Sequence, residues 1–134
     1  MRTVLLEDVI KLTYKFDGSI EGVSLADAIA NELGISNSKV QGALKKLAER
    51  NLLESPGRKH LLTEQGNDYA LKLIRTHRLW ETYVTKEKVI DMEHIHPEAE
   101  KVEHVLTEDL VDELDEELGF PEKDPHGSDI PRKK

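Results

Sequence analysis

The chain has 134 residues and no cysteine, which excludes a disulfide framework, a zinc–thiolate site and a thiol nucleophile and fits a reducing, cytoplasmic setting. No apolar run approaches the roughly 18 residues that a membrane span needs, and the N-terminus lacks the apolar segment of a signal peptide. The net charge of −8 argues at first against a nucleic-acid partner, yet residues 1–63 carry 9 Lys and Arg against 8 Asp and Glu, so the acidity belongs to residues 64–134.

Three helices are predicted in the first 50 residues. Apolar residues recur at helical spacing from about Val4 to Phe16, which predicts the first helix. Ser24 is a predicted N-cap, and the second helix that it starts ends at Gly34. After one intervening residue, Ser36 is the predicted N-cap of a third helix that reaches about Arg50. Two short helices joined by a tight glycine turn are typical of a helix-turn-helix unit.

A small hairpin is predicted after the third helix. Two short apolar stretches flank Ser55-Pro56-Gly57, and Arg58 and Lys59 follow this turn. A basic hairpin after a helix-turn-helix unit favours a winged DNA-binding domain over the alternative, an ordinary helical hairpin with a solvated face. The start of the third helix and the wing then supply the residues predicted to contact double-stranded DNA: Ser36, Asn37, Ser38, Lys39, Gln41, Lys45, Arg58 and Lys59.

Further helices are predicted in the acidic half. Thr63 caps a long helix from Glu64 to about Val84, and Pro97 begins a helix that reaches about Leu106. Thr107 restarts a helix that Gly119 terminates. The predicted domains are therefore residues 1–63, residues 64–120, and a tail of residues 121–134.

The spacing of histidines and carboxylates in this half indicates a metal site. His77 and Glu81 are four residues apart on one predicted helix, and the next helix presents His96, Glu100, Glu103 and His104 on one face. Two such helices can enclose a divalent cation. Carboxylate oxygen and imidazole nitrogen suit Mn(II), Fe(II), Co(II) or Zn(II). A solvated acidic face is the alternative for any single residue, and a metallohydrolase is disfavoured because the His-Glu-x-x-His motif is absent.

Two sequence blocks and the tail resemble the diphtheria toxin repressor family. They are Arg75-Thr76-His77-Arg78-Leu79-Trp80-Glu81, then His96-Pro97-Glu98-Ala99-Glu100-Lys101-Val102-Glu103-His104-Val105-Leu106, and Asp124-Pro125-His126-Gly127-Ser128-Asp129-Ile130-Pro131. The resemblance implies an ancillary metal site at His77, Glu81 and His96. It implies a primary site at Asp8, Glu100, Glu103 and His104.

Three positions place the chain between the family's branches. Glu100 stands where iron-type members carry a cysteine, and Asp8 where they carry a methionine, so the ligand set resembles the manganese-responsive branch. Lys11 stands where that branch has a further glutamate ligand. The resemblance therefore implies two separated metal sites rather than a closely spaced pair.

The resulting prediction is a mainly α protein with an N-terminal winged helix-turn-helix followed by a helical metal-binding and dimerisation domain. We expect a transcriptional regulator rather than an enzyme. It would respond to Mn(II) or Fe(II), with Zn(II) or Co(II) as substitutes, and repress metal-uptake genes by binding a palindromic operator.

A homodimer is predicted through about Ala99–Leu118, where an apolar stripe has little inside one chain to cover it. The same motifs also resemble the cytoplasmic module fused to some metal ABC-transporter permeases. A metal-sensing domain associated with such a permease, rather than with DNA, is the alternative.

Overall fold

The computed structural model describes residues 4–16, 24–54, 60–88, 97 and 99–132. Its secondary structure is mainly helical. The elements are α1 (Val4–Phe16), α2 (Leu25–Leu33), α3 (Asn37–Glu49), β1 (Leu53–Glu54), β2 (Leu61–Leu62), α4 (Glu64–Lys88) and a last helix, α5 (Glu108–Glu117). The chain divides into two compact units, Met1–Ala70 and Leu71–Lys134. None of the helices in the described ranges is both long and apolar enough to cross a membrane.

The first unit is built on α1, α2 and α3, which contact one another pairwise. Their apolar stripes meet in a core where Val9, Ile10, Ile29 and Val40 are fully buried. The start of α4 belongs to the same unit, and there the hydroxyl of Tyr69 donates to the buried carboxylate of Glu7. The burial of one face of each helix explains the apolar spacing that, together with the caps of the second and third helices, predicted all three.

Side-chain caps set the beginnings of α2 and α3. The hydroxyl oxygen of Ser24 accepts from the backbone N–H of Asp27 at 3.1 Å, and that of Ser36 accepts from the N–H of Lys39 at 3.2 Å. Gly34 ends α2 with φ of 67°, a left-handed conformation that glycine adopts without a steric penalty. These caps confirm the predicted boundaries.

A short antiparallel hairpin follows α3. Leu53 pairs with Leu62 and Glu54 with Leu61, as predicted for this segment. The tip of the hairpin, with Arg58 and Lys59, lies outside the described residues.

The junction between the hairpin and α4 is closely packed. The hydroxyl of Thr63 donates to the carbonyl of Asn51 at 2.8 Å and accepts from the N–H of Gly66 at 3.0 Å, which confirms Thr63 as a cap. A Cβ atom on Gly66 would lie 2.0 Å from the carbonyl oxygen of Leu52. Only glycine therefore fits at this position without a shift of the backbone.

Two predicted helix ends differ from the structure. The long helix α4 continues past Val84 to Lys88. The helix predicted from Pro97 to Leu106 ends earlier, because residues 99–102 are helical and residues 103–105 form a turn. The N–H of Val105 bonds to the carbonyl of Val102 at 3.0 Å, which tightens the chain before α5 begins.

The core of the second unit covers an apolar stripe that was expected to find little cover inside one chain. Leu79 of α4, Val111 of α5 and Ile130 are buried together, and Leu106, Leu114 and Leu118 pack against them. The apolar stripe of α5 is thus covered mostly by its own chain. Leu110, which is 51% exposed, is the member of that stripe that stays open to solvent.

The segment predicted as a tail is folded onto this second unit. The N–H of Ile130 bonds to the carbonyl of Glu122 at 2.9 Å, and Lys123 forms a β-bridge with Asp129. The Arg78 guanidinium also donates to the carbonyl of Asp129. These contacts hold Ile130 in the core.

A buried arginine joins α4 to α5. Arg75 donates to Asp112 and to Asp115, each at 2.9 Å. Burial opposes the charge of Arg75, but the hydrogen bonds that it donates to Asp115 and Asp112, and their negative charges, raise its pKa overall. The ion pairs fix the part of α4 that lies less than one helical turn before His77.

Candidate metal centre

The centre of the site is a histidine–glutamate pair on α4. His77 and Glu81 lie one helical turn apart, and His77 Nε2 is 2.6 Å from Glu81 Oε1. Their exposed fractions are only 8% and 1%. The i, i+4 spacing therefore brings an imidazole and a carboxylate together on a buried face, as the sequence predicted.

A first donor group forms on the other nitrogen of His77. His77 Nδ1 lies 3.4 Å from Glu103 Oε1 and 3.8 Å from Glu100 Oε1. One ligand atom from each of these three residues lies within 4.8 Å of the others, and Glu103 is fully buried. His77 was predicted in a different site from Glu100 and Glu103, and the structure brings the three together. Spacing along each helix could not reveal which faces of the two segments meet.

A second donor group contains Glu81, Asp124 and His126. His126 Nδ1 lies 3.2 Å from Glu81 Oε2, and one atom from each of the three residues lies within 4.8 Å of the others. Asp124 Oδ1 accepts from the N–H groups of His126 and Ser128 at 2.9 and 2.8 Å, which closes a turn. The sequence prediction did not include Asp124 and His126 as ligands. The signal was the Asp-Pro-His-Gly turn, which places a carboxylate and an imidazole two residues apart.

The charges around His77 decide its protonation. Burial by itself would lower the pKa of His77, but hydrogen bonds to Glu103 and Glu81 and their negative charges raise it above 6.5. A proton on this imidazole therefore offsets part of the carboxylate charge. A divalent cation would supply the same compensation more strongly, and imidazole and carboxylate donors fit a first-row transition ion.

The remaining predicted ligands are His104, Asp8 and His96. His104 is buried in the turn of residues 103–105, and neither donor group includes it among the described residues. Asp8 is half-buried on α1, in the first unit, and Lys11 on the same helix is buried. His96 lies outside the described residues.

The predicted DNA-contacting residues of α3 fall into two groups. The amide of Asn37 donates to Asp27, and Gln41 Nε2 donates to Asn37 Oδ1 at 2.5 Å, so these two side chains take part in a chain of hydrogen bonds. Ser38, Lys39 and Lys45 are exposed. The structure therefore presents small polar and cationic side chains on the surface of α3.

A model of one protein family matches residues 63–132, a range that contains all six residues of the two donor groups. It describes the iron dependent repressor, metal binding and dimerisation domain. The chain belongs to the iron-dependent repressor family. This confirms the resemblance that the histidine and glutamate blocks predicted.

Two repressors are similar to most of the chain in sequence or fold. The iron-dependent repressor IdeR of Mycobacterium tuberculosis is 35% identical over 118 residues, which are 87% of this chain and 51% of IdeR. A solved manganese-dependent transcriptional repressor in complex with manganese superposes with a TM-score of 0.83 and 34% identity, covering 95% of this chain and 59% of that one.

Metal transport proteins are also similar to part of the chain. A probable metal transport system membrane protein of Chlamydia trachomatis is 37% identical over 87 residues, which are 65% of this chain and 19% of that protein. The chain thus spans about half of the repressor and a smaller part of the transport protein.

Proposed function

We propose that this chain is a transcriptional regulator that binds DNA when Mn(II) or Fe(II) is bound. The observation that carries the proposal is the cluster of His77, Glu100 and Glu103, inside the segment that matches a metal-binding domain. His77 and Glu103 are buried in this cluster, and Glu100 is half-buried. Carboxylates buried with an imidazole need a compensating charge. The related iron-dependent and manganese-dependent repressors support a metal ion in that role.

Each of the two donor groups would form the centre of one metal site. His77, Glu100 and Glu103 would hold one ion, with Asp8 and His104 as further ligands from the family resemblance. Glu81, Asp124 and His126 would hold a second ion, with His96 as a further ligand. The bound metal supplies positive charge and fixed ligand directions, so it favours one arrangement of the chain over others.

DNA binding is assigned to the first unit. We infer that α2 and α3 form the helix-turn-helix, that α3 is the recognition helix, and that the β1–β2 hairpin is the wing. The exposed Lys39 and Lys45 would contact phosphates.

A homodimer is part of the proposal. A palindromic operator presents two equivalent half-sites, and a two-fold dimer reads both. The matched family domain is described as a dimerisation domain. Val105 and Leu110, which are 72% and 51% exposed, offer apolar surface for it.

Fluorescence anisotropy tests the proposal directly. The chain is mixed with duplexes selected from a random pool in the presence of Mn(II), and binding is measured with Mn(II) and with a chelator. We expect tight binding only with metal. Lys39→Ala and Lys45→Ala should each lower the slope of log K against log salt by about 1, because each removes a phosphate contact. Lys72→Ala, which alters an exposed lysine of the second unit, is the matched control.

A second function is favoured by one specific observation, the similarity to a metal transport system membrane protein. The chain would then sense metal and regulate transport through a protein contact. Binding of Mn(II) without affinity for any duplex at low salt would contradict the first proposal and support this one.

A further inference from the structure

Gly42 lies in the interior of α3, where glycine is an unfavourable residue. Glycine loses more backbone entropy than alanine when it enters a helix. The other described glycines have structural reasons: Gly34, Gly119 and Gly127 have φ of 67°, 78° and 86°, and Gly66 packs against the Leu52 carbonyl. Among the described residues, and apart from the two chain neighbours and the surrounding backbone of α3, no atom lies within 4 Å of a Cβ built on Gly42. The packing of the described residues therefore gives no reason for glycine at this position.

The surface around Gly42 is polar and cationic. Its neighbours on the same face, three and four residues away in each direction, are Ser38, Lys39, Lys45 and Lys46. All four are exposed, as is Gly42 itself. A patch of bare helix backbone is thus surrounded by three positive charges. Such a surface complements a polyanion that comes closer to the helix axis than a side chain would permit.

We propose that Gly42 is the point of closest approach between α3 and double-stranded DNA. This inference rests on the proposed DNA-binding function and adds a residue to it. The missing side chain lets the backbone of α3 sit deeper in the major groove, while the flanking lysines reach the phosphates on either side. A side chain at position 42 would hold the helix away from the base edges.

Two substitutions of graded size test the proposal. Gly42→Ala adds one methyl group, and Gly42→Leu adds a larger side chain with no hydrogen-bonding group. Both residues favour a helix more than glycine does, so both variants should unfold at a temperature no lower than the wild type. Their affinity for the duplex selected by the wild type with Mn(II) should fall, on the order of tenfold for Leu and less for Ala.

Asn67→Ala is the matched control, because it also replaces an exposed helical residue with a better helix former but lies outside α3. It should bind DNA as the wild type does. Wild-type affinity in both Gly42 variants would overturn the inference and leave the proposed function intact. A Gly42→Ala variant that unfolds more easily than the wild type would also overturn it, because glycine would then serve the fold. No DNA binding by the wild type with Mn(II) would overturn both proposals together.

Discussion

The helix caps and the contact between His77 and Glu103 differ in how far apart their partners lie along the chain. Ser24, Ser36 and Thr63 act as caps as predicted, because a cap depends on atoms only three residues away. The grouping of His77 with Glu103 joins two segments 26 residues apart. Spacing fixes which side chains share a helix face, but the packing of two faces depends on the whole core. The ligand types were therefore predictable, and their partition into two groups was not.

The close approach at Gly66 gives the first prediction. Gly66→Ala places a methyl group against the carbonyl oxygen of Leu52, 2.0 Å away in the unrelaxed backbone. We expect a loss of about 1–3 kcal/mol in the free energy of unfolding, measured by urea denaturation. Gly42→Ala is the internal comparison, since the described structure leaves space there. Equal stability of both variants would contradict the packing at the start of α4.

Protonation of His77 gives the second prediction. In the metal-free protein its pKa is raised above the ordinary 6.5. Protonation of His77 therefore stabilises the folded protein. This stabilisation is fully present below pH 6.5 and is lost as the pH rises through the higher pKa that His77 has in the folded state. Compared with His77→Gln, the metal-free wild type should lose stability over that interval, as urea titrations at a series of pH values would measure.

Metal and proton compete for the same imidazole, so the affinity for Mn(II) should rise as the pH rises over this interval. Calorimetry in two buffers of different ionisation enthalpy would detect the released proton. An Mn(II) affinity that is independent of pH would show that His77 is not a ligand.

At the scale of elements, the C-terminal segment is the main departure from expectation. Its Pro, Gly and Lys content predicted a tail, yet Ile130 completes the core between α4 and α5. A single apolar residue in a polar segment carries no periodicity, so no pattern could assign it to the core. The burial of the apolar stripe of α5 was missed for the same reason. Ile130 and Leu79 cover this stripe, and the sequence pattern did not identify them as its partners.

Ile130 supplies the third prediction. Ile130→Ala should lower the free energy of unfolding by about 2–5 kcal/mol, because it leaves a cavity against Leu79 and Val111. Leu110→Ala, at a position that is 51% exposed, should leave stability nearly unchanged and weaken self-association instead. Urea denaturation and sedimentation would separate the two effects. A stable Ile130→Ala variant would show that the segment does not contribute to the core.

At the scale of the whole molecule, the fourth prediction concerns the coupling of metal to DNA. Asp8 is the one proposed ligand in the first unit, and the others lie in the second. Asp8→Ala should therefore retain Mn(II) binding at Glu81, Asp124 and His126 and lose most of the metal's effect on DNA affinity.

His126→Ala should have the reverse pattern. It removes a proposed ligand that is partly exposed and lies outside the core, so we expect weaker occupancy of the second group and partial activation. Calorimetry and anisotropy on both variants measure these two contributions. Full activation of Asp8→Ala by Mn(II) would exclude Asp8 as the link.

The hydrogen bond between His77 and Glu81 couples ion binding at the two donor groups. His77 belongs to the first donor group and Glu81 to the second, so the two groups are in direct contact. An ion on His77 Nδ1 requires a neutral ring that keeps its proton on Nε2, facing Glu81, and this hydrogen bond makes the imidazole a better donor. Filling one group therefore changes the affinity of the other, and a titration with Mn(II) should show interdependent steps rather than two independent sites. The concentration range over which the chain responds to metal is then set by the coupled affinities of both groups, not by the affinity of either one alone.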